Sequence, residues 1–226
     1  MSTVAQSRPP VKLGVLISGE GTNLQAIIDA VVRGELRADI RLVISNKAKA
    51  PGSERARRAG IPVQFIDHRE FKSREDFDRE LVAALKAHEV ELVACAGFMR
   101  LLSPVMLRAF PNRIMNIHPA LCPAFPGVDA QGSAFNYGVK FSGCTVFFVA
   151  EGIDNGPIIA QAVVPVMESD DEQSLTARVR AAEHRIYPHA LRLFQEGRLR
   201  IQGRRVLVDG VPIPDEQLML INPPLM

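Results

Sequence analysis

Residues 12–30 read KLGVLISGEGTNLQAIIDA, and their texture changes once, at Gly19. Lys12 to Ser18 is a short, continuous apolar run, the pattern of a strand buried on both faces. Past the glycines, Leu24, Ile27, Ile28 and Val31 recur at helical spacing on one face. Strand, glycine turn and helix in that order open a parallel βαβ sheet. Working outward, Ile40 to Ser45, Val63 to Ile66, Glu91 to Gly97 and Ile114 to Ile117 read as further strands. Between them Glu54 to Gly60 is helical, and Ser73 to His88 is a helix burying Phe77, Leu81, Ala84 and Leu85. Ser103-Pro104 reads as an N-cap with proline at the first helical position.

After His118 the pattern breaks, because Pro119, Pro123, Pro126 and Gly127 cannot belong to a central strand; a loop over the sheet edge is predicted. Cys144 to Val149 and Ile158 to Val166 are strands on either side of the turn-rich EGIDNGP. A long helix from about Ser174 to Glu196 places Leu175, Val179, Ala182 and Ile186 in phase, with a kink expected at Pro188. Arg198 to Asp209 reads as a terminal hairpin or edge. The expected fold is α/β, an open, mostly parallel Rossmann-like sheet flanked by helices, with a C-terminal helix and small hairpin. The expected division is an N-terminal extension over 1–11, one domain over 12–210 and a loose tail over 211–226.

Composition narrows the function. The 226 residues are 47% hydrophobic and 23% charged, which is globular and long enough for a real core. Lys and Arg number 27 against 25 Asp and Glu, and a net charge of +2 is too even for a nucleic-acid or anionic-membrane partner. Cys95, Cys122 and Cys144 form no CxxC pair, so neither a disulfide framework nor a zinc site is suggested. His184 and His189 are five apart, off the spacing that aligns helical side chains on a metal. Met1 to Pro10 has no apolar core of a signal peptide, and no run could cross a bilayer, so a cytoplasmic location is expected.

Two patterns carry chemistry. Gly19-Glu20-Gly21-Thr22-Asn23 opens a helix whose first N–H groups are unpaired and whose dipole favours an anion, so a phosphate fits. Leu24 replaces the third glycine of the dinucleotide fingerprint and Ser45-Asn46-Lys47 offers no ribose-binding acid, which disfavours NAD; no Walker lysine follows. The bland alternative is a glycine turn with a Thr/Asn cap. In Asn116-Ile117-His118-Pro119, the amide and imidazole are two apart on a strand and project to one side, where α/β ligands bind. Asp154, in Gly152-Ile153-Asp154-Asn155-Gly156-Pro157, reads by itself as a turn former.

Taken together, LISGEGTNLQAIIDA, ISNKA, SREDFDREL, AGFMRLLSP, NIHPALCPAFPG, GCTVFFVAEGIDNGPIIAQ and AEHRIYP span most of Lys12 to Asp209, and the chain resembles the glycinamide ribonucleotide formyltransferases of purine synthesis. The resemblance implies a formyltransferase fold and transfer of a formyl group from 10-formyltetrahydrofolate, a cosubstrate, to the nucleotide amine, with no metal. It implies that Gly21, Thr22 and Asn23 bind the nucleotide phosphate and Glu183 its ribose. Met99, Arg100, Leu101 and Leu102 would line the folate pocket together with Asn116, with Arg74 nearby. Asn116, His118 and Asp154 would be catalytic. Such a reaction needs donors aimed at the oxygen of the tetrahedral intermediate and a general acid for the leaving nitrogen. A carboxylate beside an imidazole favours its charged form. Without the resemblance, Met99, Leu101 and Leu102 read as core, and Arg74 and Glu183 as solvated helix charges.

The chain departs from the pattern in three places. Ala120-Leu121-Cys122 stands where relatives read Ser-Leu-Leu, Phe147 stands where many carry His, and Asp129 to Ala134 has small residues where relatives have Arg-Gln or a His-rich stretch. Formyltetrahydrofolate deformylase uses a similar trio but usually has an added N-terminal domain, and methionyl-tRNA formyltransferase needs a C-terminal tRNA domain. A non-catalytic phosphate- or folate-binding relative is the alternative from another class. Oligomeric state is left open.

Overall fold

The computed structural model describes residues 8–210. Among these, nine strands form one sheet in the order β3-β2-β1-β4-β5-β6-β7-β9-β8. The first half is parallel: β1 (Val11–Ile17) lies between β2 (Ala38–Ser45) and β4 (Leu92–Cys95), with β3 (Val63–Phe65) outside β2 and β5 (Ile114–His118) outside β4. Chain order reverses between β1 and β4, so the carboxyl ends of β1, β4 and β5 open a crevice where α/β sheets bind ligands. Beyond β5 the sheet turns antiparallel through β6 (Phe141–Phe148) and β7 (Ile158–Pro165). The expected hairpin forms as β8 (Leu199–Gln202) and β9 (Arg205–Val208), and β9 joins the sheet beside β7.

Helices cover both faces: α1 (Thr22–Val32), α2 (Pro51–Arg58), α3 (Arg74–Ala87), α4 (Pro104–Ala109), α5 (Ala130–Tyr137) and α6 (Glu172–Gln195). One core layer joins Leu24, Ile27 and Ile28 of α1 and Tyr187 and Leu191 of α6 to β1, β4 and β5. The other packs Phe77, Leu81 and Leu85 of α3 and Met106 of α4 on the opposite face. Each such side chain, fully buried, contributes roughly 1.5–3 kcal/mol. Tyr187 is 0% exposed, and its hydroxyl lies 3.0 Å from the carbonyls of both Cys95 and Met115, tying α6 to the neighbouring strands β4 and β5.

Two expectations are corrected. Residues after Asp129 are not all loop: Ala130–Tyr137 is helical, ended by Gly138 in the left-handed region. Small residues give that helix only a weak apolar stripe, and the preceding prolines hide it. Ser103 does occupy the N-cap of α4, yet its hydroxyl caps nothing. The expected long helix is α6, whose 24 residues continue through Pro188 and start with a capping box between Asp171 and Ser174. The tail over 211–226 lies outside the described residues.

Candidate active site

The expected residues form two clusters on the carboxyl edge of the parallel strands. The first surrounds a cavity of about 290 Å³ lined by Met99, Arg100, Leu101 and Leu102 after β4, Asn116 and His118 on β5, Phe147 on β6 and Asp154 in the loop before β7. Asn116 pairs in register with Phe147 and His118 with Thr145, so amide and imidazole share a side. Met99 and Leu101 are 59% and 43% exposed, which overturns their reading as core; only Leu102 is buried. The wall ends at Gly127 and Val128, short of Gly132 and Ser133. Arg74 is off the cavity, on α3.

His118 is 4% exposed, and both its ring nitrogens are engaged. Nε2 lies 2.8 Å from the Phe125 carbonyl, which can only accept, so Nε2 carries a proton. Nδ1 lies 3.4 Å from Asp154 Oδ2, and a proton gained there forms an ion pair. Asp154 Oδ2 also accepts the Gly127 N–H at 2.9 Å. The Pro-rich segment is thereby bonded to both members of the pair. It is anchored from beneath by Thr145, whose hydroxyl donates to Ala120 and accepts from the Cys122 N–H. Asp154 itself adopts a left-handed backbone, φ 47°, a conformation that Asp tolerates better than most residues. Phe147, 2% exposed, puts an aromatic ring opposite Asn116. Cys95 also lines the cavity, but burial pushes its thiol up to about 12, which keeps it from acting as a nucleophile.

The second cluster is the turn between β1 and α1. Gly21 is the N-cap of α1 with φ 69° and ψ 34°, and no side chain caps the helix, so the first N–H groups point outward. Glycine is required here twice over: the backbone is left-handed, and a Cβ would come within 2.6 Å of Gly52 Cα on α2. Asn23 Nδ2 donates to Glu183 Oε2 at 3.2 Å. Glu183, read by itself as a solvated charge, is 7% exposed, and burial pushes its carboxyl up to about 7. Two cations that the sequence reading missed stand nearby. Arg55 donates to the Glu20 carbonyl at 2.8 Å, and Arg180, one turn before Glu183, is close enough for its charge to act on that carboxyl. Basic side chains on two helices carry no local motif, so only the packing brings them to the loop.

The two clusters adjoin, since the Ser18 N–H donates to the Gly97 carbonyl and the Met99 N–H to Ser18 Oγ. A larger groove of about 970 Å³ runs along α6 past Arg33, Arg185 and Arg192, but it contains none of Asn116, His118 and Asp154. Among the described residues no three His, Cys, Asp or Glu side chains converge on a metal position, and no helix is long and apolar enough to cross a membrane.

Comparison with known proteins follows the same lines. Residues 11–191 match the formyl transferase family. The chain is 44% identical over 202 residues to phosphoribosylglycinamide formyltransferase of Escherichia coli, covering 89% of this chain and 95% of that one. It is 50% identical over 197 residues to the trifunctional purine biosynthetic protein adenosine-3 of Drosophila pseudoobscura pseudoobscura, covering 86% of this chain but only 14% of that protein. The crystal structure of glycinamide ribonucleotide transformylase 1 from Symbiobacterium toebii superposes with a TM-score of 0.86 at 55% identity, over 88% of this chain and 94% of that one.

Proposed function

The chain belongs to the formyl transferase family, and on that footing we propose that it moves the formyl group of 10-formyltetrahydrofolate to the amine of glycinamide ribonucleotide, a cytoplasmic step of purine synthesis. The observation that carries this reading is the cavity where Asn116, His118 and Asp154 meet, one hydrogen-bonded step from an uncapped helix start. In this reading the nucleotide phosphate sits on the N–H groups of Gly21, Thr22 and Asn23, with Arg55 and Arg180 adding charge. Glu183 accepts from the ribose hydroxyls. The folate lies against Met99, Arg100, Leu101 and Leu102, with Arg74 toward its outer end. The apolar wall and Asn116 fit a flat ring system with a few polar edges.

Attack of the amine on the formyl carbon puts negative charge on the formyl oxygen. The Asn116 amide and the protonated His118 donate to it, each such donor being worth roughly 10²–10³ in rate. Asp154 stabilises the imidazolium through Nδ1. The intermediate collapses as its bond to the folate nitrogen breaks, and that nitrogen takes a proton from His118. The proton shed by the attacking amine is passed back to the imidazole with the help of Asp154, so that formylated nucleotide and tetrahydrofolate leave. For Nε2 to meet the substrate, its bond to the Phe125 carbonyl must be exchanged, so substrate and loop compete for one proton. The test is a mass-resolved assay with 10-formyltetrahydrofolate, with and without the nucleotide, beside His118→Ala. Formylated nucleotide formed by the parent and lost in the variant is expected. Folate deformylated without nucleotide would mean a hydrolase instead, and binding of both ligands with no product would mean a binding protein.

A further inference from the structure

The cavity wall from Phe98 to Ser103 follows neither helix nor strand, so its position depends on bonds from elsewhere. Two buried side chains supply them. At the leading end the Met99 N–H donates to Ser18 Oγ at 2.8 Å, and Ser18 donates in turn to Asn46 Oδ1 at 2.7 Å. At the trailing end the Ser103 N–H donates to Asp78 Oδ2 at 2.5 Å. Asp78 and Ser103 are both 0% exposed, and Asp78 sits on the core-facing stripe of α3 beside Phe77 and Leu81. α4 starts where this bond is made, since the Met106 N–H already returns to the Ser103 carbonyl.

The position is an expensive place for a carboxyl. Burial pushes Asp78 above the usual carboxylate range; the Ser103 hydroxyl and N–H and the charge of Arg74 oppose that shift only in part. Asp78 Oδ1 and the Ser103 hydroxyl have no partner in hydrogen-bond geometry, although the hydroxyl is close enough to favour the charged carboxyl. An aliphatic side chain would fill the same space without desolvating an acid. What it would lack is an acceptor for the Ser103 N–H.

We propose that Asp78 is a positioning residue for the folate pocket, holding the trailing end of the Met99–Leu102 wall as Ser18 holds the leading end, and so setting affinity for the cosubstrate without touching it. The proposal rests on the functional reading above. With the bond gone, the wall shifts and the folate loses contact area, while the nucleotide cluster, built on α1 and α6, is unaffected.

The experiment compares the parent with Asp78→Ala and Asp78→Asn in the full chain, by kinetics with each substrate varied and by calorimetric titration with tetrahydrofolate, which needs no turnover. Asp78→Ala should raise the KM for 10-formyltetrahydrofolate and the Kd for tetrahydrofolate by roughly tenfold or more, leaving the KM for the nucleotide essentially unchanged. Asp78→Asn keeps a carbonyl oxygen for the Ser103 N–H and should restore most of the affinity. Should Asp78→Ala fail to fold, Asp78→Ser, too short to reach the N–H, should show the same split. An unchanged Kd, an equal rise in both KM values, or an Asn variant as impaired as the Ala variant would overturn the proposal. A parent that binds no tetrahydrofolate would overturn the functional reading itself, and the proposal with it.

Discussion

Glu183→Gln separates the stability of this fold from its use of a buried acid. Burial pushes the Glu183 carboxyl from its ordinary 4.5 up to about 7, while Asn23 and the charge of Arg180 pull more weakly the other way. Between those two values the folded chain keeps a proton that the unfolded chain has released. Stability therefore falls as pH rises from 4.5 to about 7 and stays lower above that. The interval from 4.5 to about 7 is worth about 3 kcal/mol. Glutamine keeps the shape and a carbonyl oxygen for Asn23 Nδ2 but cannot ionise. In urea unfolding, the variant should thus exceed the parent by about 3 kcal/mol at pH 8.5 and by about 0.5 kcal/mol at pH 4.5. The KM for the nucleotide should rise at the same time, because a neutral amide is a weaker acceptor for ribose hydroxyls than a carboxylate. A stability difference that does not change with pH, or a variant less stable than the parent at pH 8.5, would refute the assignment of Glu183 as a buried acid retained for binding.

Asp154→Asn should leave the urea midpoint unchanged, since a carbonyl oxygen remains for the Gly127 N–H, and lower turnover by roughly 10²-fold; an unchanged rate removes Asp154 from the mechanism. Gly21→Ala forces a Cβ against Gly52 at a left-handed position and should cost about 1–3 kcal/mol by thermal or urea unfolding while weakening nucleotide binding, and an unshifted melt would contradict the packing.

The elements legible in the sequence are those whose signal is local. The run from Lys12 to Ser18 and the helical stripe after it needed only periodicity, and the shared side of Asn116 and His118 needed only the strand repeat. The sequence points to the groups of the candidate site but not to their hydrogen-bond partners. Nothing near Phe125 announces that its carbonyl engages His118, because a backbone oxygen carries no sequence signature. Asp78 lies among charged residues on α3, and only the packing shows that it faces inward. Arg180 likewise gains meaning only from the loop that α6 happens to meet. The serine before Pro104 misleads in the opposite direction, since its type suggests a capping hydroxyl while the bond that matters is made by its N–H.

Tyr187 makes the chain its own spectroscopic gauge. The sequence holds two tyrosines and no tryptophan, and the other tyrosine, Tyr137, is 80% exposed. The tyrosine absorbance therefore comes from one largely exposed phenol, edge-on to Phe125, and one sealed under the floor of the candidate site. Burial holds the Tyr187 hydroxyl well above the ordinary phenol range, so it responds to alkali only when α6 lifts from β4 and β5. The lifetime of that hydroxyl proton against solvent exchange is in effect a clock for how often the floor opens.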